Sequence, residues 1–154
     1  FYYLVTASIF DSKFRGDDKV WRDTRYNKSF SVNLLIGKEF YTKKDNIWGL
    51  NARANFLGGG RYDGIDEVAS VQAKRIIYDS NKIFENQYPS NFFLDLSITY
   101  RINKAKYSST FALQVKNALG TPAIIDNEYN YKKKAVEQQK MVIMIPVLSY
   151  KIDF

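Results

Sequence analysis

Tyr150-Lys151-Ile152-Asp153-Phe154 alternates apolar and polar side chains and stops on a phenylalanine. A period of two is the mark of a strand with one apolar and one polar face. Upstream, Leu148, Pro146, Met144 and Val142 stand in phase with Tyr150, Ile152 and Phe154. Ser149, Lys151 and Asp153 point the other way. The spacing therefore predicts a strand from about Lys140 to the end. Pro146 has no N–H for a ladder and marks a lost hydrogen bond or a bulge.

The same period recurs through the chain and predicts five further strands, at about Tyr2–Phe14, Ser29–Tyr41, Ile47–Gly58, Asn91–Asn103 and Ser109–Ala118. In the clearest of them, Phe92, Leu94, Leu96, Ile98, Tyr100 and Ile102 share a face, opposite Asp95, Ser97, Thr99, Arg101 and Asn103. Short polar turns join the second strand to the third (about Thr42–Asn46) and the fourth to the fifth (about Lys104–Ser108). The other connections, about Arg15–Lys28, Gly59–Ser90 and Gly120–Gln139, are long. Segment Glu67–Ile77 is expected to form a short helix. Short and long connections alternate strictly, the arrangement of a transmembrane β-barrel with short turns on one side and long loops on the other. Phe40, Trp48, Tyr100 and Tyr150 lie on the apolar faces near the short-turn ends, the position of an aromatic girdle.

Composition narrows the functions. Of 154 residues, 45% are hydrophobic, which argues against disorder, and 16% are aromatic, which suits strands and membrane interfaces. The chain has no Cys, which excludes disulfides, thiol catalysis and zinc–thiolate sites, and no His, which removes the commonest general base and metal ligand. The net charge of +7 invites a nucleic-acid reading, but basic residues are interleaved with Asp17, Asp18, Asp23, Glu128 and Glu137. Mixed-charge loops account for this better than a phosphate-tracking groove, and no nucleic-acid partner is expected.

No catalytic constellation emerges, and no cofactor or metal is expected. Asp17-Asp18 sits in a loop and reads as a turn. Gly58-Gly59-Gly60 lacks the Lys-Ser/Thr ending of a phosphate loop and reads as a flexible strand exit. Lys132-Lys133-Lys134 reads as a solvated loop tip. The long connection after the third strand is the best candidate for ligand binding, because long loops carry binding in barrels. Its candidate residues are Arg61, Tyr62, Asp63, Arg75 and Tyr78.

Several segments in order resemble the C-terminal part of TonB-dependent outer-membrane receptors, of the type with a carboxypeptidase-regulatory-like N-terminal extension. They are Tyr2–Lys13, Trp21–Asn27, Leu34–Phe40, Gly58–Tyr62, Phe93–Asn103, Leu113–Asn117 and Pro146–Phe154. The resemblance implies that residues 1–154 supply the last six strands of a 22-stranded barrel. The plug and the other strands would lie outside this segment, as the absence of an initial Met and a signal peptide also suggests. It implies import of a scarce large ligand (metal chelate, cobalamin or oligosaccharide) across the outer membrane of a Gram-negative bacterium. Implied partners are outer-membrane lipid, the remaining strands and plug, TonB through the missing N-terminal part, and the BAM assembly machinery. A surface lipoprotein is a further candidate. Leu148, Tyr150, Ile152 and Phe154 would form the assembly signal read by BAM. The competing reading is a small or soluble β-barrel module that binds an apolar ligand. The polarity of the second strand face opposes it, since a small barrel needs a filled interior.

Overall fold

The computed structural model describes residues 1–154, which form twelve strands and one helix. In chain order these are β1 (Tyr2–Ile9), β2 (Lys13–Arg15), β3 (Trp21–Asp23), β4 (Phe30–Tyr41), β5 (Ile47–Leu57), β6 (Arg61–Tyr62), α1 (Glu67–Ala73), β7 (Asn86–Gln87), β8 (Asn91–Asn103), β9 (Ser108–Lys116), β10 (Ala123–Asn130), β11 (Ala135–Met141) and β12 (Ile145–Asp153). Six of them form one antiparallel sheet in the order β1-β4-β5-β8-β9-β12. The sheet is open, and β1 and β12 are its two edges.

This is the expected meander, with two boundaries corrected. The first strand ends at Ile9, not Phe14. The chain turns there, and Lys13–Arg15 pairs with Trp21–Asp23 in a separate hairpin. The last strand begins at Ile145, not Lys140. Lys140 and Met141 belong to β11, which pairs with β10 to make a hairpin of the whole third long connection.

The three long connections all leave the same end of the sheet and carry the small elements β2–β3, β6–α1–β7 and β10–β11. The helix starts on Asp66, whose side chain accepts from Ala69 N at 2.9 Å. It stops at Ala73, short of the expected Ile77, because Lys74 is left-handed (φ 52°). Gly58 and Gly59 are a packed crossing, not the flexible exit expected. A Cβ on Gly58 would strike the Lys28 carbonyl, and one on Gly59 the Tyr88 carbonyl.

The fold has no buried hydrophobic residue. The buried side chains are polar: Asn27, Ser70, Ser109, Asn117 and Asn127. Apolar side chains are ordinarily the most buried, and here they are not. One sheet face carries Val5, Leu34, Ile36, Leu50, Leu94, Leu96, Ile98, Leu113, Leu148 and Ile152, and no second layer covers it. Leu148 is 81% exposed and Leu50 47%. No helix is long and apolar enough to cross a membrane.

Candidate functional site

Register aligns the aromatic side chains into rows. Phe40 lies opposite Trp48, Trp48 opposite Tyr100, Tyr100 opposite Phe111, and Phe111 opposite Tyr150. One continuous row thus runs across five of the six strands, from β4 to β12, at the short-turn end. Trp48 stacks on Tyr100 at 4.4 Å, and the rings of Phe111 and Tyr150 are 4.6 Å apart. Phe111 extends the row beyond the residues the sequence singled out. A second cluster, Phe30, Phe56 and Phe92, stands toward the other end, with Phe30 and Phe56 at 5.0 Å. Trp48 to Phe56 and Tyr100 to Phe92 are each eight positions, or about 26 Å along the strand.

The opposite face is polar. A depression of about 480 Å³ there is lined by polar side chains, Asn33, Asn51, Arg53, Asp95, Ser97 and Gln114 among them, together with Tyr2, Leu4 and Leu35. Tyr2 lies across Gly37 and donates from its hydroxyl to Asn51 Oδ1. Gly37 is required for that passage, because a Cβ there would meet the tyrosine ring.

At the long-loop end, a polar network ties the connections together. Asn27, 2% exposed, donates through Nδ2 to Asp11 Oδ1 at 2.8 Å and Asp23 Oδ1 at 2.7 Å. Asp23 pairs with Arg61 Nη1 at 2.9 Å, and Lys13 pairs with Asp11 at 2.9 Å. Hydrogen bonds from Lys13 and Asn27 hold the Asp11 carboxyl below the usual range. Arg61 Nη1 also donates to the Phe84 and Glu85 carbonyls at 3.5 and 3.4 Å. Asp63 Oδ1 accepts from Phe84 N at 3.0 Å. Phe84 has φ 52°, costly for a bulky residue, and these contacts fix it there.

Tyr62 stacks on Tyr88 at 4.3 Å, and Asn127 Nδ2 donates to the Tyr88 hydroxyl at 2.8 Å. Burial, reinforced by Asp126, pushes the Tyr88 phenol up to about 12. The same causes raise Tyr78, burial first and then Asp126 and Asp63.

The sequence candidates therefore divide. Arg61, Tyr62 and Asp63 come together and are engaged in holding the loop platform. Arg75 is exposed to solvent, and Tyr78 is half-exposed at 48%. Between this platform and β10–β11 lies a polar depression of about 300 Å³, lined by Tyr62, Glu67, Asn86, Asn127, Glu137 and Gln138 among others. Apart from Tyr62, sequence reasoning missed these residues. They are isolated polar side chains in long connections, with no period or motif to mark them. No cluster of three His, Cys, Asp or Glu side chains is arranged to hold a metal ion.

Leu148, Tyr150 and Ile152 lie on the apolar face of β12, opposite Leu113, Phe111 and Ser109. Phe154 follows the strand and is fully exposed. β12 is an edge strand, paired only with β9. No family model, curated protein or solved structure matches the chain.

Proposed function

We propose that these strands belong to a transmembrane β-barrel of the TonB-dependent receptor type, in the outer membrane of a Gram-negative bacterium. The observation that carries this reading is the uncovered apolar face, bounded along its strands by aromatic side chains at both heights. A contiguous uncovered apolar face of this kind marks a surface for lipid or for another protein. In lipid it is the ordinary exterior of a barrel, with an apolar band about 25 Å tall between girdles. The two open edges are then the seams to further strands, completing a 22-stranded barrel. The polar face becomes the wall that meets water or a plug. The loop platform faces outside and contacts a large scarce ligand such as a metal chelate, cobalamin or an oligosaccharide. Arg75 and Tyr78 are its presented side chains. The alternative, a soluble carrier of apolar ligands, would bury this same face under a second layer.

The absence of cysteine in this segment gives a direct test. Single cysteines placed along β8 in the full polypeptide, reconstituted in vesicles, are challenged with a water-soluble maleimide. Cysteines replacing Asp95, Ser97 and Thr99 should react, and those replacing Leu94, Leu96 and Ile98 should be protected. Equal labelling of both sets would overturn the membrane reading.

A further inference from the structure

Lys38 is the one charged residue on the apolar face of the six-stranded sheet. It lies opposite Leu50, two positions from Phe40, with its ammonium 4.9 Å from the Phe40 ring centroid. The ammonium thus reaches toward the aromatic row and the short-turn end. Glu39, the nearest carboxylate in sequence, is on the other face, and Lys38 makes no ion pair.

Beside Lys38 runs a groove of about 480 Å³ with nearly all-apolar walls. Its floor is Ala52, whose short side chain sits in register between Ile36 and Leu96. Leu50, Ile98, Leu113 and Val115 form its sides. The arrangement is an apolar groove with a cation at its edge, near the height of an aromatic row. A lysine whose only purpose was to reach water would need no such groove beneath it.

We infer that this groove is a binding site for one anionic glycerophospholipid: an acyl chain lies over Ala52 and the phosphate sits on Lys38. The inference rests on the membrane reading above. Charge complementarity selects the lipid. An unpaired ammonium at the edge of hydrocarbon favours a headgroup of net negative charge over a zwitterionic one. On the short-turn side, this places the lipid in the periplasmic leaflet.

The test uses the full polypeptide in phosphatidylcholine vesicles carrying a small fraction of either brominated phosphatidylglycerol or brominated phosphatidylcholine. The quenched signal is that of Trp48, taken as the difference from a Trp48→Phe variant. The anionic lipid should quench about fivefold more strongly at equal mole fraction. Lys38→Gln should abolish that preference, Lys38→Arg should keep it, and Ala52→Phe should weaken it by filling the groove. If both lipids quench equally with Lys38 present, the site is refuted while the membrane reading stands. If neither quenches, the membrane reading fails and the site fails with it.

Discussion

Replacing Leu96 by arginine separates the membrane reading from an aqueous one. Leu96 is four positions from Phe92 and four from Tyr100 on the same strand, about 13 Å from each aromatic height. That is the middle of the apolar band. If this face meets lipid, an arginine there costs about 2–4 kcal/mol, the range for a cation at the bilayer midplane. If the face meets water, the change is small. Leu96 is already 44% exposed, and an arginine stem covers similar apolar surface, so the cost stays within about 0.5 kcal/mol. Two controls lie on the same strand. Ser97→Arg points to the polar face and should cost within about 0.5 kcal/mol under either reading. Ile102→Arg is on the apolar face but beyond Tyr100, and should cost about 0–1 kcal/mol. The assay is guanidinium unfolding of the full polypeptide in vesicles, followed by tryptophan fluorescence, with the midpoint shift converted through an unchanged slope. Equal costs for Leu96→Arg and Ser97→Arg, or for Ile102→Arg and Leu96→Arg, would place this face away from lipid.

Asn27→Ala removes the bridge between Asp11 and Asp23 and should destabilise the loop platform by about 2–4 kcal/mol. Hydrogen exchange should quicken in β2, β3 and β6 and stay unchanged in β5 and β8; unchanged exchange throughout would show that the network holds nothing. The raised Tyr88 phenol means that folding favours its protonated form. Its contribution is complete below the unfolded value near 10 and is lost as pH rises through about 12. The tyrosinate absorbance lost in Tyr88→Phe should titrate near 12; a midpoint near 10 would contradict the packing around Asn127. Deleting Phe154 from the full polypeptide should lower its level in outer-membrane fractions; unchanged levels would remove the assembly role.

The sheet was legible because its strands alternate cleanly. Leu94-Asp95-Leu96-Ser97-Ile98-Thr99 leaves no choice of face, and register then follows from pairing apolar with apolar. The small hairpins were not legible: β2 and β3 are too short to show a period, and the middle of β10 and β11 is polar on both strands. In β10 and β11, Asp126-Asn127-Glu128 faces Glu137-Gln138-Gln139, with no contrast for a period to show. The first strand was the least clear, since Leu4 and Phe10 fall out of phase with Tyr3, Val5, Ala7 and Ile9, and its boundary at Phe14 overran the turn after Ile9. The platform was partly legible: Arg61, Tyr62 and Asp63 stood out as polar and aromatic residues at a strand exit. Their partners Asp23, Phe84 and Tyr88 lie far along the chain, and only the fold brings them near. Lys38 was hidden for the opposite reason. A single lysine in phase with apolar residues looks like an interruption until its neighbours across the sheet are known.

The absence of a core has a consequence for which substitutions this chain can accept. A packed interior selects side chains for shape, so that an added or missing methyl group is felt. Fluid acyl chains would have no fixed shape to match. On the apolar face, away from the groove over Ala52, exchanges among leucine, isoleucine, valine, phenylalanine and methionine would then be nearly free, while one polar atom would be expensive. Homologues of this segment would be expected to drift in sequence on that face at constant oiliness. They would hold their identities at Asn27, Gly37, Gly58 and Gly59, where the constraint is geometric.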